Sequence, residues 1–562
     1  MATSWKDLLS TFDTKTKVLV PAEHNHENVK PGISDTCVSG GGVLFTDTSV
    51  LSTKFGVSRD IVLSRFQSFI RQSKEIGRHW LLLDASNPST SITLRPDRTW
   101  YSYHELLHSF IRESGLQSGV STSVFIIGGN DVIAVPEQVF NLPQSLKDYL
   151  LQIDLWYCFP VGFDLVEELE SLAETHEIYD PDLFADHLLS HALCNISRLP
   201  LNNGKDCGGF EETIGNYLDR AISSQGSINI DSVLMTTASQ WLKESSFMVE
   251  GLPLLPFHED PSFTYRGMYV APFLSLQNRD GMNRYCQSLG YADYLLFNMH
   301  GSDKPNVSGY LGIGLMNDAY IAFDIPLLGL CKSRVLTTTA CYGARYEGKE
   351  YKYDLRSSLL LSSIYQNFLL FTGSSHIAWG AISEQYPCGC SETLTKYYTN
   401  LLLYGVPAGE ALLRSKIEYF TSFYPLELDY SYFTICEFNV FGDPTLECAC
   451  HKSVLLSKSS HLSGGLKYPS YLGFTGRLLS LDDAYERVRN LVDDNLEEIA
   501  ISLGEQLISD YSFVGLEFDS ADKRINKDEH VGYVFVYSYA NSGKVFAHTD
   551  LKGKLSIAFY TK

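Results

Sequence analysis

Long apolar runs are missing from this chain. No stretch of its 562 residues reaches roughly 18 uninterrupted apolar positions, so a membrane-crossing helix is not expected. A basic start followed by an apolar core is also missing. The opening MATSWKDLLSTFDTKTK does not read as a secretory leader, and a cytoplasmic chain is the expectation. Basic residues are scarce, 44 Lys and Arg against 66 Asp and Glu, which leaves a formal charge of −22. Such a surface repels nucleic acid and anionic membranes, so neither is an expected partner. The 12 cysteines are scattered rather than set at scaffold spacing, and they read as reduced core thiols. There is no short-period repeat and no low-complexity tract. The segment Ser39-Gly-Gly-Gly42 lacks both the Lys-Ser/Thr of a phosphate loop and the spacing of a dinucleotide fingerprint, and reads as a flexible loop. The pairs Cys388-Gly-Cys390 and Cys448-Ala-Cys450-His451 carry zinc-ligand chemistry at a spacing unlike a finger or knuckle, so packing or a redox pair is expected there. No cofactor and no metal are assigned to the site.

What is present is ordinary for a folded protein: 44% hydrophobic and 20% charged residues, with 13% aromatics. The length exceeds one hydrophobic core and implies two to four domains. Strand and helix patterns alternate through the first 450 residues, which predicts α/β architecture with mostly parallel sheets. Strands are expected at 17–20, 79–84, 123–128, 232–237, 268–275, 294–298, 334–340 and 376–382. Helices are expected at 60–76, 103–114, 211–222, 279–289, 355–371, 391–404 and 408–422. The polar stretch 202–209 reads as a loop near a boundary, giving an N-terminal unit over 1–200 and a second over 201–450. Residues 452–475 read as a linker and 479–508 as a long amphipathic helical region. Strands at 512–518, 531–539, 544–549 and 554–560, with a hairpin turn at Asn541-Ser-Gly543, make 451–562 a small α+β domain of unassigned role.

Two features of the second unit belong together. One apolar strand runs into Met299-His300-Gly301-Ser302-Asp303, and another into Thr339-Ala340-Cys341-Tyr342-Gly343. In a parallel sheet both strands end at the same edge, where ligands bind. A thiolate there can attack a carbonyl while an imidazole moves the proton, and a nearby imidazolium would lower the thiol pKa. Gly301 allows close backbone approach, and its N–H with that of Cys341 can form an oxyanion hole. Either residue alone would read as packing; the pair points to chemistry.

Apolar strand–His-Gly followed by apolar strand–Ala-Cys resembles the signature of clan CD cysteine peptidases, the caspase–gingipain group. His300-Gly-Ser-Asp303 is similar to the gingipain form. Ile196-Ser-Arg198-Leu-Pro200, the helix with Tyr217 to Arg220, residues 376–383 and Phe441-Gly-Asp-Pro-Thr-Leu446 are similar to gingipain segments as well, so the likeness spans roughly 120–446. It implies two tandem caspase-like subdomains, the first without catalytic residues, with Trp379 lining the pocket for the residue before the cleaved bond. Glu244 is the nearest candidate acid to orient the imidazole, and Glu259 and Asp260 are candidates for selecting a basic substrate residue. The implied activity is endopeptidase cleavage of protein or peptide substrates through Cys341 and His300, with a weak preference for a basic residue. The competing reading is a catalytically silent caspase-like scaffold acting as an interaction protein. The C-terminal domain is a candidate site for a regulatory partner.

Overall fold

The computed structural model describes residues 41–88, 90–91, 93–142, 148–176, 178–201, 209–238, 241–249, 264–265, 268–270, 279–302, 310–313, 319–346, 355, 357–380, 390–423, 428–450, 517–526, 529–539, 543–549 and 555–561. The expectations for 17–20, 452–475, 479–508, Glu259, Asp260 and His451 lie outside these residues, as do most of 202–209 and the cysteine at 388.

Eleven strands form one sheet. In chain order they are β1 (Gly41–Thr46), β2 (His79–Asp84), β3 (Ser123–Ile127), β4 (Asn195–Leu199), β5 (Val233–Thr237), β6 (Thr264–Tyr265), β7 (Met268–Val270), β8 (Tyr294–Asn298), β9 (Val335–Thr338), β10 (Leu370–Ser374) and β11 (Phe438–Gly442). Their spatial order is β6-β7-β5-β8-β9-β10-β11-β4-β3-β1-β2. The strands β5, β8, β9 and β10 run parallel, and so do β4, β3, β1 and β2. Most are buried along their whole length, which suits a sheet covered by helices on both faces.

The join between the two halves sets their polarity. β11 is antiparallel to β10 and parallel to β4, so the β4 half runs opposite to the β10 half. The C-terminal strand ends of the two halves therefore face opposite edges. At the join, the fully buried Arg198 of β4 makes a two-pronged ion pair with Asp154 at 2.9 and 2.6 Å. It also donates to the carbonyls of Gly128 and Ile133 at 2.9 and 3.0 Å. Paired in this way, the buried charge is satisfied and ties β4 to the rest of its own half, while the Ser197 hydroxyl crosses the join to donate to the Gly442 carbonyl at 2.5 Å. The Phe441-Gly-Asp-Pro-Thr-Leu446 segment anchors the far end: Asp443 pairs with the buried Arg78, and its N–H donates to the Tyr217 hydroxyl at 2.6 Å. That segment serves the sheet and lies at the edge away from the ends of β8 and β9.

Helices expected at 60–76, 103–114, 279–289, 391–404 and 408–422 are found as Arg59–Glu75, Trp100–Glu113, Arg279–Leu289, Cys390–Leu403 and Ala408–Phe423. Three expectations need correction. The helix read over 355–371 is shorter, Leu359–Gln366, and β10 follows it at once. The strand read at 376–382 is absent from its described part, because 376–380 leaves the sheet and crosses the edge. The glycine segment is no loop at Gly41 and Gly42, which open β1. A Cβ on Gly42 would fall 1.8 Å from the Ser123 carbonyl oxygen, so only glycine lets β1 and β3 approach there.

Near the C-terminus, antiparallel strands at Glu517–Asn526, Glu529–Tyr539, Gly543–Thr549 and Leu555–Thr561 form a meander. Its last strand pairs with Ile178–Tyr179 of the N-terminal half. No helix among the described residues is long and apolar enough to cross a membrane.

Candidate active site

β8 and β9 are adjacent, parallel and in register, with Phe297 opposite Thr338. Their pairing continues past the strand ends. The Thr339 N–H donates to the Phe297 carbonyl at 3.0 Å, and the Thr339 hydroxyl donates to the Asn298 side-chain oxygen at 2.7 Å. Two more residues on each chain bring the backbone to His300-Gly301 and Ala340-Cys341. Gly301 lies flat against Cys341: a Cβ there would fall 1.8 Å from the Cys341 carbonyl oxygen, and in this crowded position glycine is obligatory.

The turn that carries Cys341 is held from β10. The Tyr342 N–H donates to the His376 carbonyl at 2.5 Å, and the Ala344 N–H to that of Ser374 at 2.9 Å. Tyr342 sits in the left-handed region, φ +57°, an unusual place for a bulky side chain and a mark of a constrained turn. The Cys341 Sγ donates to the Ala378 carbonyl at 3.6 Å. The backbone N–H groups of Gly301 and of Cys341 itself act on this sulfur and pull its pKa down. Burial and the nearby Glu437 carboxylate outweigh them, and the thiol is pushed up to about 11. Glu437 is itself buried at the edge beside β10, where it accepts from the Ser374 hydroxyl at 2.6 Å; burial raises its own pKa.

His300 is half-buried, and burial lowers its pKa. Its ring packs against Trp241, centroids 4.2 Å apart. At neutral pH the Cys341 thiol is thus protonated and the His300 imidazole uncharged, not the ion pair that a lowered thiol pKa would need. Such a pair can still act if the imidazole takes the thiol proton as the sulfur attacks.

Trp379 stands over the same edge. Its carbonyl accepts from the Ser391 N–H at 3.0 Å, and its ring meets Tyr430 edge-on at 5.1 Å. Its indole nitrogen is buried and makes no hydrogen bond among the described residues, so a donor remains there. Glu244, in the helix Leu242–Val249, lies close enough to Glu392 to raise the latter's pKa. Glu392 is fully buried at the start of the helix Cys390–Leu403, takes hydrogen bonds from Ser391 and Asn298, and is driven up to about 7, mainly by burial. One turn on, the ammonium of Lys396 lies 3.7 Å from the Phe247 ring centroid. Sequence reasoning missed Trp241, Glu392 and Glu437. In the sequence Glu392 falls in an expected helix and Glu437 in no assigned element, and only the packing of the helices Cys390–Leu403 and Leu428–Glu437 on the sheet edge buries them. Of the cysteine pairs, Cys390 and Cys448 are buried free thiols.

No family model and no curated protein matches the chain. The solved structures that resemble it include two of an Arg-specific cysteine proteinase and one of a separase complex. A crystal structure of the Arg-specific cysteine proteinase gingipain R is 10% identical, with a TM-score of 0.44 over 73% of this chain and 78% of that one. A complex of the pro- and mature domains of the same proteinase from Porphyromonas gingivalis gives 10% identity, a TM-score of 0.44 and coverage of 73% and 79%. The separase–securin complex of Saccharomyces cerevisiae gives 11% identity and a TM-score of 0.28 over 48% of this chain and 15% of that one. At such scores these likenesses carry no weight for the chemistry, which stands on the strand ends and side chains themselves.

Proposed function

We propose that the chain is a cysteine endopeptidase in which Cys341 is the nucleophile and His300 the proton carrier. One observation carries this reading. Gly301 is pressed against the Cys341 carbonyl, close enough that the backbone N–H groups of both residues act on the Cys341 sulfur. An anion forming beside that sulfur would meet two donors fixed in advance, which is where electrostatic catalysis is strongest. The sulfur attacks the scissile carbonyl carbon as its proton passes to His300. The carbonyl π pair moves onto oxygen and is held by the two N–H groups. Collapse of that intermediate breaks the C–N bond, with the His300 proton going to the leaving amine, and leaves a thioester. Water, losing a proton to His300, then attacks the thioester and frees the acid and the thiol.

Trp379 walls the pocket for the residue before the cleaved bond. The carboxylates Glu244 and Glu392 behind this wall support a preference for a basic side chain. Glu244 is the candidate to orient the imidazole. A regulatory partner acting through the C-terminal sheet fits its pairing with Ile178–Tyr179.

Cleavage of a peptide library by the wild type and by Cys341→Ala tests the reading. The expected result is cleavage after a restricted set of residues, led by Arg or Lys, that vanishes in the variant. A second reading, a silent scaffold used for interaction, is favoured by the buried, protonated thiol. It wins if neither protein cuts any library member.

A further inference from the structure

A second cluster of chemically capable groups lies far from Cys341 in the sequence and outside the proposed mechanism. The helix Pro181–Ser190 and the residue that caps it present His187 and His191, four apart and so on one side. Glu168 of the helix Leu165–Thr175 faces them. The Nε2 of His187 is 2.7 Å from Glu168 Oε1. The Nε2 of His191 is 3.3 Å from the Nε2 of His187 and 4.0 Å from the same carboxylate oxygen. The His191 ring is fixed by stacking on Phe163, centroids 5.0 Å apart and planes at 28°. Each of the three side chains keeps between 34% and 39% of its surface exposed, so the point where they converge opens to solvent.

A proton on His187 Nε2 can serve Glu168, and it leaves the His191 nitrogen as a lone pair turned toward the same point. A cation held between the three atoms would use one lone pair from each. The distances suit one: two imidazole nitrogens at about 2.0–2.1 Å from a tetrahedral ion stand about 3.3–3.4 Å apart. The observed 3.3 Å separation matches that geometry. The two distances from Glu168 Oε1, 2.7 and 4.0 Å, bracket the same value, and a small turn of the carboxylate equalises them.

We infer that Glu168, His187 and His191 form a site for a divalent transition-metal ion of the zinc class. Two imidazoles and one carboxylate favour zinc or its borderline neighbours over calcium or magnesium, which take oxygen ligands. Water would complete the fourth position. The ion would tie together the two helices that flank Ile178–Tyr179, the strand on which the last strand of the C-terminal sheet pairs. Its role is that of a clamp on this docking strand.

The test uses the full chain stripped with a chelator and titrated with Co²⁺ and with Zn²⁺ against a chromophoric competitor, beside His187→Gln/His191→Gln and Glu168→Gln. The wild type is expected to take up one ion more than the double variant. Its Co²⁺ spectrum should show the visible bands of a four-coordinate nitrogen–oxygen site without thiolate charge transfer. Glu168→Gln, which keeps both imidazoles, should bind at least tenfold more weakly. Equal stoichiometry and affinity in the wild type and in Glu168→Gln would overturn the inference, even if the double variant failed to fold. So would a spectrum dominated by thiolate ligation.

Discussion

Adding one methyl group at Gly301 is the sharpest single perturbation of the proposed site. In Gly301→Ala the new Cβ would start 1.8 Å from the Cys341 carbonyl oxygen, whereas ordinary contact begins near 3.4 Å. About 1.6 Å of separation must be found between two backbones held by the β8–β9 register and by the Tyr342 and Ala344 bonds to the segment at β10. No side-chain rotation supplies it. Overpacking of this sort costs roughly 1–3 kcal/mol, which a chain of this size can survive folded. The cost to catalysis is larger. The shift carries the Gly301 and Cys341 N–H groups off the sulfur, and loss of one oxyanion donor lowers kcat by about 10²–10³. The assay is steady-state peptide cleavage, with alkylation of Cys341 at high pH as the control for an intact turn. The expected variant is folded and alkylated yet slow in kcat, with KM little changed. If kcat stays within about threefold of the wild type, Gly301 is not where the account needs it.

His300→Ala should lower kcat by about 10²–10⁴ in the same assay while leaving circular dichroism unchanged, because the half-exposed ring is not part of the core; activity within tenfold would remove it as proton carrier. Without substrate, the Cys341 thiol at about 11 should react with iodoacetamide at a rate that climbs with pH through 9 and 10; a plateau below pH 8 would mean a resting thiolate. Glu392, raised from 4.5 to about 7 by burial, binds a proton more tightly in the folded chain, so its contribution to stability is whole below pH 4.5 and is lost as pH rises through 7. Glu392→Gln should therefore stabilise the chain at pH 8 relative to pH 5, by on the order of 3 kcal/mol at most, and an equal change in melting temperature at both pH values would refute the burial argument. Arg198→Met strands the buried Asp154 carboxylate beside β4 and should cost roughly 3–5 kcal/mol in urea unfolding; a loss under 1 kcal/mol would mean the pair does not hold β4 in its half.

The placement of the two strand ends at one edge was legible in the sequence. Tyr294–Asn298 and Val335–Thr338 are short apolar runs that stop at His-Gly and Cys-Tyr-Gly, and parallel pairing does the rest. The segment 355–382 misled for a physical reason. Leu359-Leu-Leu-Ser-Ser-Ile-Tyr-Gln and Leu370-Phe-Thr-Gly-Ser374 are both apolar and separated by only three residues, so periodicity cannot find the break between helix and strand. His376 to Trp379 is a mostly apolar run and reads as a strand, yet its backbone is spent on the Cys341 turn, with His376 accepting from Tyr342 and Ala378 from the thiol. The protonation state was beyond the sequence. Spacing puts a histidine and a cysteine past the ends of adjacent strands, but burial and Glu437 decide that the thiol stays neutral.

A peptide bearing a cysteine-reactive group after Arg or Lys, followed by digestion and mass spectrometry, tests the His300–Cys341 partnership most directly. The account requires one label, on the peptide containing Cys341, formed quickly at neutral pH and slowed at least a hundredfold in His300→Ala. Label on another cysteine, or equal labelling of Cys341 with and without His300, would contradict it.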